Sequence, residues 1–380
     1  MTLTITASGR TAGSSGAAGA SQVESADRGL RIQGLSKVLG GRTIVDTLDL
    51  TIGSGELVAL LGPSGCGKTT TLRMIAGFLA PDTGTVTIDG RDVTNLGPER
   101  RPSAMVFQNY ALWPHLTVFK NVAFPLTLRR MPKAEIRERV MAALDTVNLA
   151  HHADSRPAHI SGGEQQRAAL ARAIVQEPEL LLLDEPLSNL DAKLRVRVRE
   201  EIREIQQRLG ITTVMVTHDQ EEALAISDRV AVMNGGRIEQ VSAPADLYAN
   251  PRTEFVASFI GSMNFLDGGD LSAARGAGAA AGVATGDATG VSPSDRWAVR
   301  PEDVLFVRAR AGTTPVAGSL PAEVVRVLPH GHFSELVVRV DGLTLRALAT
   351  DDVPTAGEHG TVSLRRVRHF RDGRLVEDAS

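Results

Sequence analysis

Eight residues, Gly62-Pro63-Ser64-Gly65-Cys66-Gly67-Lys68-Thr69, set three glycines, a lysine and a hydroxyl at the spacing G-x-x-x-x-G-K-[ST]. The chemistry of that spacing is a grip on polyphosphate. Glycines let successive backbone N–H groups turn inward around an anion, and a helix starting there adds partial positive charge. Lys68 is expected to reach the β- and γ-phosphates of a nucleoside triphosphate. Thr69 should give its hydroxyl to Mg2+, and Thr70 should hold an α-phosphate oxygen. A chance glycine turn would need neither flank. Here the apolar run Leu57–Leu61 precedes the loop, and Leu72, Ile75 and Ala76 follow at helical spacing.

Leu180-Leu181-Leu182-Leu183-Asp184-Glu185 is an apolar run ending in two carboxylates. The leucines read as a strand buried on both faces. Asp184 at its end is placed to hold Mg2+ through water, and Glu185 to act as general base on an attacking water. Strands ending in charges are common, so the phosphate loop upstream gives the pair its weight. His218 follows a second buried run, Thr212–Thr217, where an imidazole can hydrogen-bond a γ-phosphate. Gln108 follows Ser103–Phe107 and can touch both metal and water. Ser161-Gly162-Gly163 opens a helix, with Glu164 at capping-box spacing. Its two glycines suggest a second helix terminus that an anion can approach closely. Cys66 reads first as a small filler, and alternatively as a thiol activated by the helix N-terminus and Lys68.

These residues require an α/β framework. From about Leu30 to about Ile260, apolar strands, glycine turns and helical patterns alternate, which argues for a largely parallel sheet. Residues 1–28 are rich in Ala, Gly, Ser and Thr and are expected to be a disordered tail. Residues 263–293 read as a Gly/Ala-rich linker. Beyond it, Val324–Leu328, Leu336–Val340, Leu343–Leu348 and Val362–Leu364 read as strands of a small all-β domain, an OB-like barrel over 294–380.

The chain has 380 residues, 42% of them hydrophobic, which suits two domains with proper cores. A net charge of −3 gives no basic excess that would point to nucleic acid. A single cysteine excludes an internal disulfide framework. Neither a secretory leader nor an apolar run of about 20 residues is seen, so a cytosolic protein that docks on a membrane partner is expected.

The order of phosphate loop, Gln108, Ser-Gly-Gly, Asp184-Glu185, Ser188-Asn189-Leu190-Asp191 and His218 resembles the nucleotide-binding subunit of ABC transporters. The resemblance covers about residues 29–262 and implies a helical subdomain near 109–165. It further implies ATP and Mg2+, hydrolysis, and a head-to-tail dimer with two ATP molecules between the subunits. Each ATP would lie on Gly62–Thr69 of one copy and on Ser161–Gly163 of the other, with Asp191 coupling the sites. Tyr110, Leu112, Trp113, Pro114 and His115 would form an exposed cluster where a permease subunit docks.

Trp297-Ala298-Val299-Arg300-Pro301-Glu302-Asp303 is similar to the regulatory β domain of importer ATPases of the maltose, iron and polyamine groups. An importer with separate permease subunits and a solute-binding protein follows, on the cytoplasmic face of the membrane. The run Tyr110–His115 resembles iron(III), polyamine or phosphonate systems. A non-transport ABC ATPase would carry two cassettes or coiled-coil insertions, and a nucleotide switch would lack Glu185 or His218. Two positions depart from the family's common pattern, Leu39 and also Glu164, where glutamine is commoner and either residue can cap the helix. Leu39 stands where an aromatic usually stacks on adenine, and no aromatic precedes Phe78.

Overall fold

In the computed structural model the described residues are 28–267, 294–309 and 319–376. The expected tail, apart from Arg28, and the linker beyond Asp267 lie outside them. The chain divides after Ile238 into two compact units.

The first unit opens with β1 (Gly29–Leu39) and β2 (Arg42–Gly53), an antiparallel hairpin. It continues through β3 (Leu57–Leu61), α1 (Lys68–Ala76), β4 (Thr83–Ile88), β5 (Arg91–Asp92) and β6 (Ser103–Val106). Next come α2 (Val118–Leu128), α3 (Lys133–Thr146), α4 (Gly162–Ile174), β7 (Leu180–Asp184), α5 (Ala192–Leu209), β8 (Thr212–Thr217), α6 (Gln220–Ile226) and β9 (Arg229–Asn234). The expected parallel sheet is present, in the order β9-β3-β8-β7-β6. The N-terminal strands differ from that expectation and form a separate antiparallel sheet, β2-β1-β4-β5. Buried Leu30 and Ile32 alternate with exposed Arg31 and Gln33, and a register shift after Ile32 brings Leu35 into the core as well. In contrast β3, β7 and β8 are buried at every position, as continuous apolar runs require.

Parallel pairing sets the strand ends in register. Leu61 lies opposite Thr217, Val216 opposite Asp184, and Leu183 opposite Val106. Residues just past these ends therefore share one edge of the sheet. The stretch 109–165 is largely helical. Val118, Val122 and Leu126 of α2 pack inward with Val140 and Leu144 of α3, and Thr117 caps α2.

The chain leaves the first unit through β10 (Arg237–Ser242). The unit boundary after Ile238 thus comes earlier than the boundary expected at 262. Two short helices follow, α7 (Pro244–Ala249) and α8 (Glu254–Phe259), interrupted around Pro251. Then follow β11 (Asn264–Asp267), β12 (Asp295–Val299), β13 (Val304–Arg308), β14 (Leu320–Pro329), β15 (Ser334–Val340), β16 (Leu343–Ala349), β17 (His359–Leu364), β18 (Arg368–Arg371) and β19 (Arg374–Leu375). The expected linker from 263 is corrected here, since Asn264–Asp267 is a strand paired with β12.

The all-β character is observed as two antiparallel sheets, β11-β12-β18-β19 and β13-β17-β14-β15-β16, around one core. Leu266, Trp297 and Val299 from the first meet Val324, Leu336 and Val338 from the second. Arg300 is 1% exposed. Its guanidinium donates to the carbonyls of Tyr248, Ile260 and Ser262 and stacks 4.0 Å from the Tyr248 ring centroid.

Candidate nucleotide site

The phosphate loop occupies the end of β3. Gly67 is the N-cap of α1 with φ 104°, and no side chain caps that terminus. The first backbone donors of α1 thus have no side-chain cap, as an anion site requires. Close packing fixes two of the glycines. A Cβ on Gly62 would stand 2.3 Å from the Met233 carbonyl oxygen, and one on Gly67 would stand 2.6 Å from that of Ile44. Gly65 differs, because φ is +80° and nothing lies within 4 Å of its Cβ position. Ser64 and Gly65 are exposed and Pro63 half-buried, so the tip of the loop is open to a ligand.

Lys68 is buried, its ammonium donating to the carbonyls of Gly62 (2.7 Å) and Pro63 (3.1 Å). Cys66 is buried too, with Sγ 3.8 Å from the same ammonium. That position fits the filler reading, and the enclosure leaves little access for an activated thiol. Thr70 is half-buried on the first turn of α1.

Thr69 Oγ1 lies 3.4 Å from Asp184 Oδ1. Burial pushes the Asp184 carboxyl above its usual range; Arg73 opposes this and Glu185 reinforces it. A hydroxyl beside a carboxylate makes the all-oxygen donor pair that a hard dication fits.

Glu185 takes a left-handed φ of 45°, which costs a non-glycine residue on the order of 1 kcal/mol. Its N–H donates to the Val216 carbonyl at 3.0 Å. The turn directs the carboxylate to the shared edge, where Gln108 Nε2 lies 3.2 Å and His218 Nδ1 3.3 Å from Oε2. Three expected residues from three strand ends thus meet.

Sequence reasoning gave no individual role to the side chains that hold this trio. Ser188 Oγ accepts from Gln108 Nε2 (3.2 Å) and donates to the Glu185 carbonyl (3.0 Å). Asn189 Nδ2 donates to the Gln108 carbonyl at 2.7 Å. Thr217 Oγ1 receives the Asp219 N–H and donates to Glu222, which fixes the turn bearing His218. Hydroxyl and amide residues just after Asp184-Glu185 were the available signal.

The second helix terminus is built differently. Ser161 caps α4 in a full capping box: its N–H and hydroxyl donate to Glu164 Oε2 at 2.7 and 2.8 Å. Gly162 and Gly163 have a packing reason beside the anion reading. Cβ atoms there would meet Leu190 at 3.3 Å and Leu194 at 3.2 Å, so α5 crosses closely. Asp191 is exposed and caps α5 by accepting from Leu194 N–H at 3.0 Å. Leu39 ends β1 at 43% exposure, free to cover a flat group by contact alone.

The expected aromatic cluster is only partly exposed. Tyr110 is 6% exposed, because a left-handed φ of 61° tucks its ring inward. Trp113 is half-buried, 4.3 Å from the Phe124 ring and under the Arg172 guanidinium. A groove of about 250 Å³ remains, lined by Met105, Phe107, Trp113, Phe124, Pro125 and Arg172.

Comparison with known proteins gives a consistent picture. The family described as ABC transporter matches residues 45–188. The chain is 54% identical over 242 residues to the spermidine/putrescine import ATP-binding protein PotA of Acidothermus cellulolyticus, covering 63% of each chain. It is 57% identical over 226 residues to PotA of Thermobifida fusca, covering 60% of this chain and 59% of that one. The matches thus span about three-fifths of these curated relatives. The solved structure of cbiO1 from Clostridium perfringens, part of the ABC transporter complex cbiONQ, superposes with TM-score 0.55 at 30% identity. It covers 58% of this chain and 90% of that one.

Proposed function

The chain belongs to the ABC transporter family of ATP-binding proteins, and on that premise we propose that it is the ATP-hydrolysing subunit of a membrane importer. The observation that carries this reading is the meeting of Gln108, Glu185 and His218 on one edge, beside the Thr69–Asp184 pair.

Gly62 to Thr70 hold the phosphates of ATP, and Leu39 covers one face of the base. Thr69, Asp184 and the amide oxygen of Gln108 would hold Mg2+, which would supply neutralising charge to the phosphate oxygens. Glu185 takes a proton from water as that water attacks the γ-phosphorus and the bond to the β-phosphate oxygen breaks. His218 hydrogen-bonds the γ-phosphate. Ser161–Gly163 reach the same ATP from a second copy, and Asp191 lies where the two sites communicate. The permease docks on the groove beside Trp113, which keeps the chain on the cytoplasmic face. The β unit serves regulation and dimer support.

Among iron(III), phosphonate and polyamine, the relatives named for spermidine/putrescine import support polyamine as cargo.

The test is Glu185→Gln. Turnover should fall at least about 100-fold while ATP binding persists and ATP shifts the protein to a dimer on size exclusion. Undiminished hydrolysis would refute the assignment. With the permease reconstituted, Trp113→Ala should lower labelled spermidine uptake and spare soluble hydrolysis. Uptake unchanged by Trp113→Ala would remove the docking claim, and its absence in the parent would remove the polyamine reading.

A further inference from the structure

A side-chain cluster outside this machinery has the composition of a metal site. His151 and His152 end a short 3-10 turn, Ala150–His152, between α3 and α4. They stand beside Glu164 on the first turn of α4. One ligand atom from each of the three lies within 4.8 Å of the others.

We propose that His151, His152 and Glu164 form a binding site for a divalent transition-metal ion of the zinc class. Two imidazoles and a carboxylate are the donors such ions prefer, whereas Mg2+ and Ca2+ favour oxygen alone. Three protein ligands leave further positions to water.

Two details favour a ligand over a pair of solvated loop histidines. His152 Nδ1 contacts Ser155 Oγ at 3.0 Å, which leaves Nε2 directed at Glu164 Oε1, 3.4 Å away. A hydroxyl holding the far ring nitrogen is the support that fixes a metal-binding imidazole. Glu164 also divides its oxygens. Oε2 takes both Ser161 donors, while Oε1 faces the histidine. One carboxylate can thus bind an ion through Oε1 and keep the Ser161 cap through Oε2. An ion at this site therefore bears directly on the Ser161 terminus. Only a carboxylate serves both partners; glutamine at the same position would cap Ser161 but offer a weak ligand.

The test uses the full chain without a polyhistidine tag, stripped of metals by a chelator. Co2+ is followed by visible absorption and Zn2+ by competition against Co2+. Site binding should give the intense bands of four- or five-coordinate cobalt with imidazole donors. His151→Gln/His152→Gln should weaken Zn2+ binding more than about tenfold, and Glu164→Gln should weaken it as well. Hydrogen exchange across 161–165 should slow with Zn2+ in the parent and not in the double histidine variant. Only the weak spectrum of hexaaqua cobalt, or affinity unchanged in the double variant, would overturn the site. Exchange unaffected by bound Zn2+ would overturn its link to Ser161.

Discussion

His218 Nδ1 lies 3.3 Å from Glu185 Oε2, although the two residues follow different strands. Gln108 shares the same oxygen. In the mechanism proposed above, His218 thus orients the base as well as reaching toward substrate. His218→Ala should lower kcat by about 10²- to 10⁴-fold, the range of an impaired general base. ATP affinity, which the proposal assigns mostly to the phosphate loop, should change far less. Equal loss of kcat and affinity would contradict this division, and steady-state kinetics with a fluorescent nucleotide titration reads both.

Asp184 carries a carboxyl raised chiefly by burial. A carboxyl whose folded pKa exceeds its unfolded value binds protons more tightly when folded. Ionised Asp184 therefore lowers stability above that window, and the deficit disappears as pH falls below the ordinary carboxylate value. Asp184→Asn should raise the melting temperature of nucleotide-free protein at neutral pH and lose that advantage near pH 4. An advantage that grows with acid would show the sign to be wrong.

The glycines of the loop should separate by mechanism. Gly62→Ala drives a methyl group into the Met233 carbonyl and should destabilise the fold by about 1–3 kcal/mol. Gly65→Ala has room, so its cost is backbone strain alone, about 1 kcal/mol. The first should show as a lower melting temperature. The second should show mainly as weaker ATP binding by a protein that still folds.

If Leu39 covers adenine as proposed, the base has no aromatic partner, since no aromatic precedes Phe78. GTP should compete with ATP better in the parent than in Leu39→Tyr, since stacking contributes about 0.5–1.5 kcal/mol beyond contact area. Competition titrations of the two proteins decide this, and equal adenine preference would refute it.

Arg300 is the pin of the second unit. Arg300→Met leaves three or more carbonyls without their charged donor and should destabilise that unit by about 3 kcal/mol. Arg300→Lys keeps charge but lacks the planar fork, so it should fall between. The Tyr248 hydroxyl, bonded to Glu302 and pushed up to about 12 mainly by burial, offers a local reporter by ultraviolet titration. A melting profile untouched by Arg300→Met would remove the assignment.

The elements carrying the site were legible because fully buried strands write themselves as unbroken apolar runs, such as Leu57–Leu61 and Leu180–Leu183. Their ends then fall in register, and the chemistry follows. Features set by distant partners were not legible. Asn264–Asp267 looks like linker because its reasons lie elsewhere: Asn264 bonds the carbonyls of Val299 and Arg346. Tyr110 reads as exposed because its sequence does not announce the left-handed turn that buries it. Gly163 reads as an anion contact, while its tight neighbour Leu194 is thirty-one residues on.

Lys68 spans the loop to the carbonyls of Gly62 and Pro63, so the loop carries a cation of its own. Its curvature is thereby held by internal bonds. Binding a triphosphate then exchanges hydrogen bonds rather than adding them, and only the difference appears as affinity. Calorimetry should register a modest heat for that step. Under the ATP-hydrolysing role proposed above, a grip that already has somewhere else to rest would ease release of the spent nucleotide.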